Sequence, residues 1–224
     1  TGGVATYEQD VTSGNGGGIE NAGNLTLTRV AVNGNAAVSA ARSAGGGVHS
    51  SGPLTVVDSV IIDNTSEAGG GGIYVSGAAF SITDTTISSN AVFEGETDGR
   101  GGGGLHVVNG TGTVLRTTID GNSSEFQGGG VMVRGSSSDV AFVDSTITNN
   151  VSRFGSGLNT YASATTRIEG STISGNRNPD NGKSSGGGGI RARASTTIVN
   201  STISGNATTG VGVDVTTCAC AAPS

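Results

Sequence analysis

The sequence predicts an all-β fold: a single-domain parallel β-helix, that is, a β-solenoid with three short strands per coil and about seven full coils. Three observations predict it. Seven times an Ile or Val is followed three residues later by Asn: Val32/Asn35, Ile61/Asn64, Ile87/Asn90, Ile119/Asn122, Ile147/Asn150, Ile173/Asn176 and Ile203/Asn206. Five residues before each Ile or Val stands another apolar residue, Leu27, Val56, Ile82, Val114, Phe142, Ile168 or Ile198. Upstream of each pair lies a glycine run closed by an aliphatic residue: Ile19, Val48, Ile73, Leu105, Val131, Leu158 and Ile190. A fixed offset kept through successive copies marks a repeat whose units stack as rungs.

Each part of the rung follows from its residues. The six steps from Ile19 to Ile190 average about 28.5 residues. Segments such as Leu25-Thr-Leu27, Phe80-Ser-Ile82 and Ser171-Thr-Ile173 alternate with period two and are rich in Thr and Ile, so they read as strands. Glycine and asparagine supply the turns. One coil cannot bury its apolar face alone, so it pairs in parallel with its neighbours about 4.8 Å away, and seven coils run about 34 Å. Two residues before each Ile a second inward row, Val30, Ser59, Thr85, Thr117, Ser145, Ser171 and Ser201, suits a tight corner. The Asn residues (Asn35, Asn64, Asn90, Asn122, Asn150, Asn176, Asn206) fall where the chain turns. They are read as a structural ladder, bonding amide to amide and tolerating a left-handed backbone. Four of them, Asn64, Asn122, Asn150 and Asn206, also form Asn-x-Ser/Thr sequons, which the repeat explains without glycosylation. Residues 1–15 read as a partial N-terminal coil, 16–210 as the β-helix repeats and 211–224 as a terminal strand and tail.

Composition narrows the function. The 224 residues include 42 glycines and 3 prolines without a three-residue period, which excludes collagen. Net charge is −6 with a single lysine, so no basic stripe is available to neutralise phosphates, and nucleic acid is not expected as a partner. No apolar run reaches the roughly 18 residues of a transmembrane segment. No leader is recognisable at Thr1, so the chain reads as mature or as a fragment. Cys218 and Cys220 are too few to hold zinc and read as a local disulfide or an inter-chain link outside the cell. No cofactor is expected.

The glycine-run/Ile-x-x-Asn pattern, over roughly Gly16 to Asn206, resembles the secreted right-handed parallel β-helix repeats of bacterial surface proteins, the polymorphic outer-membrane protein and autotransporter passenger type. The resemblance implies right-handed coiling and an extracellular or cell-surface location. The proteins it covers include adhesins, filament components and polysaccharide lyases.

No catalytic constellation is legible. The residue after each glycine anchor and the one two further on form the most varied outward face, which gives a candidate ligand face of His49, Tyr74, His106, Arg134, Tyr161, Arg191 and Arg193. His49 and His106 stand two rungs, about 10 Å, apart, too far to share a metal or a proton. Glu94, Glu96 and Asp98 form a weak candidate for a cation, without EF-hand spacing. The expected function is an extracellular structural protein: a fibre or filament subunit, or an adhesin stalk, self-associating through uncapped ends. The alternative is a polysaccharide-binding or polysaccharide-cleaving β-helix on the ligand face. A third reading, ice binding, rests on the outward pairs Thr86/Ser88, Thr118/Asp120, Thr146/Thr148, Thr172/Ser174 and Thr202/Ser204.

Overall fold

A computed structural model describes residues 4–6, 14–38, 43–93, 100–179, 186–208 and 219–220. Every strand pairing in it is parallel and joins one coil to the next, with no helix among the described residues. The glycine-anchor strands, from Ile19–Asn21 to Ile190–Ala192, form a seven-stranded sheet I. The strands from Leu25–Thr28 to Ser195–Val199 form sheet II, with an eighth strand, Ala219–Cys220, added beyond the last. The Ile-x-x-Asn strands, from Ala31–Asn33 to Thr202–Ser204, form a seven-stranded sheet III. The chain thus makes about six full turns between its first and last rung.

Register brings like over like. Ile61, Ile87, Ile119, Ile147, Ile173 and Ile203 are successive partners in sheet III, as are Val56, Ile82, Val114, Phe142, Ile168 and Ile198 in sheet II. Apart from the exposed Ile203, these rows and the anchors form or pack against one continuous buried core. Its filling adapts locally: a Cβ on Gly112 would lie 2.7 Å from ring carbons of Phe80, so the ring occupies the space that Gly112 vacates. Another inward column of sheet I carries large apolar side chains only in its middle. It runs Asn21, Ser50, Val75, Val107, Val133, Thr160, Ala192, and Asn21 donates to the Ser50 hydroxyl at 2.8 Å.

Two of the corners turn through left-handed residues at the same place in every coil. Before each ladder Asn stands Gly34, Asp63, Ser89, Gly121, Asn149, Gly175 or Gly205, with φ between 53° and 67°. The ladder Asn was expected to take this conformation; it falls one residue earlier, which leaves the Asn backbone free to extend into the next strand. Between sheets II and III the left-handed residue is Arg29, Asp58, Asp84, Arg116, Asp144, Gly170 or Asn200. Here Asp and Asn recur because their short polar side chains tolerate the region.

Beyond the three expected strands, each coil carries a fourth, very short pairing just after its Asn. It runs from Val4–Thr6 through Ala36–Val38, Thr65–Ser66, Ala91–Val92 and Ser123–Ser124, then by single bridges at Val151 to Arg177–Asn178 and Ala207–Thr208. We call it sheet IV. Two residues are too few to show alternation, which is why periodicity does not reveal it.

Candidate functional site

The structure's most ordered chemistry is polar and axial. The ladder Asn side chains point inward, and Asn64, Asn90, Asn122, Asn150 and Asn176 are wholly buried. Each backbone N–H and each Nδ2 donates to the Oδ1 of the Asn one coil on, from Asn35→Asn64 through Asn176→Asn206, at 2.9–3.0 Å. The second hydrogen of Nδ2 goes back one coil, to a sheet III carbonyl: Asn122 to Ile87 and Asn150 to Ile119, both at 3.0 Å. Both amide hydrogens are therefore used, so the sequons at Asn64, Asn122 and Asn150 are closed to modification in the folded chain.

A second ladder runs beside it at the corner row. Ser145 Oγ donates to the Val143 carbonyl at 2.8 Å and accepts the Thr117 N–H at 3.2 Å. Ser171 accepts the Ser145 N–H at 3.0 Å, and Ser201 that of Ser171 at 3.1 Å. Val30 is the one member without a hydroxyl.

The glycine runs explain themselves against the Asn ladder. The last glycine of each run lies under an Asn side chain: a Cβ on Gly104 would stand 3.0 Å from Asn122 Nδ2, and one on Gly130 2.8 Å from Asn150 Nδ2. The glycine before it abuts backbone, with a Cβ on Gly103 only 2.2 Å from the Ser123 carbonyl oxygen. Glycine run and Asn are two halves of one packing unit.

The expected ligand face is only partly a surface. On the outer side of sheet I, Tyr74 pairs in register with His49 and His106, as expected, with ring centroids 5.2 and 5.0 Å apart. His106 is wholly buried, as are Met132 and Asn159 further along the column, and His49 nearly so. The reading of His49 and His106 as exposed is therefore corrected. The cause is a short arm of each variable loop, folded back over the face and bridged in parallel at Ala44, Gly69, Gly101, Gln127, Phe154 and Gly186. Gly69 is pressed against the imidazole, since a Cβ there would sit 2.3 Å from His106 Nδ1. Gln127, in a later arm, accepts from Asn159 at 2.7 Å.

Electrostatics keep this layer neutral. His106 Nε2 accepts a hydrogen bond from Arg134 Nε at 3.1 Å, so the ring carries its proton on Nδ1, toward the arm. Burial first, and the Arg134 charge second, push the His106 pKa down to about 3. His49 is also lowered by burial, partly offset by Glu20, and Tyr74 is raised by burial. A neutral imidazole held against an arginine is a packing element here.

The remaining face residues cluster toward the last coils. Arg134 and Tyr161 are register partners, both half-buried, and the guanidinium of Arg193 lies 5.2 Å from the Tyr161 ring centroid. Arg191 lies over Phe154 at 4.3 Å. Arg134, Tyr161 and Arg193 are thus brought together, apart from the His49–Tyr74–His106 stack except where Arg134 touches it.

The hydroxyl pairs on sheet III's outer face stack in register, with Thr148 and Ser174 3.3 Å apart, while Asp120 accepts from Asn149 at 2.9 Å. Glu94, Glu96, Asp98 and Cys218 lie outside the described residues; Cys220 pairs in sheet II opposite Ile198. Among the described residues no group of three His, Cys, Asp or Glu is placed to hold a metal, and no helix is long and apolar enough to cross a membrane.

A family model described as the right handed beta helix region matches residues 103–221, more than half of the chain. No curated protein and no solved structure matches it.

Proposed function

The chain belongs to the right-handed β-helix family, and from that premise we propose that it is a non-enzymatic structural protein of the cell exterior, a fibre subunit or adhesin stalk that lengthens by end-to-end stacking. The observation that carries this reading is the directional Asn ladder, which ties each described coil to the next in one sense. Asn206 accepts from Asn176 and donates to Ile173, yet its backbone N–H and second Nδ2 hydrogen have no further Asn to meet among the described residues. On the same coil Ile203 is 47% exposed where Ile173 is fully buried. A parallel strand edge with unpaired groups is a template for another chain. Stacking that repeats the same step does not close, so it builds filaments. Electron microscopy and sedimentation of the purified chain test this; a monodisperse monomer at high concentration refutes it.

One observation favours a second reading, binding of an acidic polysaccharide. Arg134, Tyr161 and Arg193 present two cations and an aromatic ring on neighbouring rungs, a set suited to carboxylates and sugar faces. A screen of acidic polysaccharides for binding, shortened chains or unsaturated ends tests it; no retention and no product retires it.

A further inference from the structure

One outer column of sheet I changes character part-way along the stack. Ser76 and Val108 are uncharged, and the column then reads Arg134, Tyr161 and, on the next rung, Arg193. The Arg193 N–H donates to the Thr160 carbonyl at 3.0 Å, which carries the parallel step on by one coil. The arms roof the neighbouring column, where Met132 and Asn159 are wholly buried, while Arg134 and Tyr161 stay half-exposed and Arg193 exposed. The three side chains therefore form a shelf beside the arms, parallel to the axis.

The shelf is held in place. Arg134 donates from Nε to His106 at 3.1 Å and hydrogen-bonds Tyr74 as well. A guanidinium has five N–H groups, so donors remain for an anion. The turn after Tyr161 is strained: Ala162 and Ser163 are both left-handed, with φ 55° and 63°. The same corner in the three preceding coils uses a single residue of positive φ, Gly77, Asn109 or Gly135. A left-handed backbone is unfavourable for a residue with a Cβ, and such strain collects where a side chain must be aimed. The side chain beside this turn is the Tyr161 ring.

We propose, resting on the acidic-polysaccharide reading above, that this shelf takes a linear polysaccharide laid along the axis, with carboxylates on every second sugar and Tyr161 aimed at the neutral sugar between them. Arg134 and Arg193 stand two rungs, about 10 Å, apart, with the ring on the rung between. An extended chain of pyranose rings advances by about one rung per sugar, so it keeps step with the coils. A uronate over Arg134 then puts a neutral sugar over Tyr161 and the next uronate over Arg193. Each guanidinium suits a carboxylate through paired hydrogen bonds. The electron-rich ring face suits the C–H face of a neutral sugar and repels a carboxylate. A polymer charged on every sugar would set its middle carboxylate against that face.

Two probes separate these cases: hexasaccharides of hyaluronan, in which glucuronate alternates with a neutral amino sugar, and of polygalacturonate, charged on every sugar. In titration calorimetry the full-length chain should bind the hyaluronan hexasaccharide about tenfold more tightly than the galacturonate one. Arg193→Gln and Tyr161→Leu should each weaken hyaluronan binding about tenfold, and Arg193→Gln should leave the urea midpoint unchanged. Ala162→Gly, which relieves the turn, should raise that midpoint and still weaken hyaluronan; unaltered affinity overturns the aiming of Tyr161. Equal affinity for the two polymers, or a preference for galacturonate, overturns the alternation and leaves the acidic-polysaccharide reading standing. Hyaluronan binding that survives both Arg193→Gln and Tyr161→Leu lies elsewhere on the chain and overturns the shelf. Binding of neither overturns the proposal, and the wider screen of acidic polysaccharides then decides the reading it rests on.

Discussion

Replacing Asn122 by alanine is the sharpest test of what holds the coils together. Its wholly buried side chain makes four hydrogen bonds: Nδ2 donates to the Ile87 carbonyl and to Asn150 Oδ1, and Oδ1 accepts the Asn90 N–H and Nδ2. At about 1 kcal/mol net for each, Asn122→Ala should cost about 4 kcal/mol. No water can reach the stranded Asn90 N–H without opening the tube. The same change at Asn206, half-buried with three bonds, should cost about 1–2 kcal/mol because solvent replaces part of what is lost. Asn122→Asp sharpens the argument. A carboxylate keeps the acceptor for Asn90 but loses both donations and faces two oxygens, so its pKa must rise and its penalty must shrink as pH falls. Urea denaturation, with midpoint and slope compared between variants, measures all three. A loss below about 1.5 kcal/mol for Asn122→Ala, or one equal to that of Asn206→Ala, would refute the ladder as the axial tie.

Four further outcomes follow from the geometry. Ile119→Ala, at a fully buried position of sheet III, should cost about 3–4 kcal/mol in the same assay. Gly103→Ala forces a methyl to within 2.2 Å of the Ser123 carbonyl oxygen and should cost about 3 kcal/mol, whereas Gly77→Ala meets no atom and should cost only the strain of its left-handed backbone. His106 has a folded pKa near 3 against 6.5 unfolded, so stability is full above about pH 6.5 and falls toward pH 3; the loss is roughly 2–3 kcal/mol at pH 4.5, and His106→Gln should flatten that slope. Mass spectrometry of folded chain exposed to an N-glycosylating extract should find Asn122 and Asn150 unmodified, since both are wholly buried.

The fold was legible because the repeat constrains the inside of a tube, and the inside is where side chains meet their own kind. The Ile row, the row five residues before it and the glycine anchors all stack as their spacing implies. The outer face of sheet I was not legible in the same way. Period-two alternation separates inside from outside but cannot show that the outside is roofed, and the roof comes from variable loops whose length changes from coil to coil. A signal was present all the same: Met132 in a nominally exposed column, and the extra glycine that opens the Gly69–Gly72 run, pressed against the bulky His106. The dependence of Gly104 on Asn122 was hidden by sequence separation, although the two motifs recur together in every coil. Function stayed less legible because the repeat dictates only inward groups, and the outward ones vary freely.

The direction of the polar ladders turns this into a statement about assembly. Along the Asn ladder every coil donates forward and accepts from behind; the corner hydroxyls accept in the same sense, Thr117 N–H to Ser145 and Ser145 N–H to Ser171. A stack built this way is polar: its last coil presents donors and its first presents the accepting sense. Two last coils brought together by a two-fold axis would oppose donor to donor, leaving N–H groups such as that of Asn206 buried and unsatisfied, at about 1–3 kcal/mol each. Two copies in the same direction continue every ladder. Filaments carrying a gold label at one terminus should therefore show single labels at a constant interval, and that interval should not change with salt even where filament length does. Labels in pairs would mean that the ladders do not govern the joint.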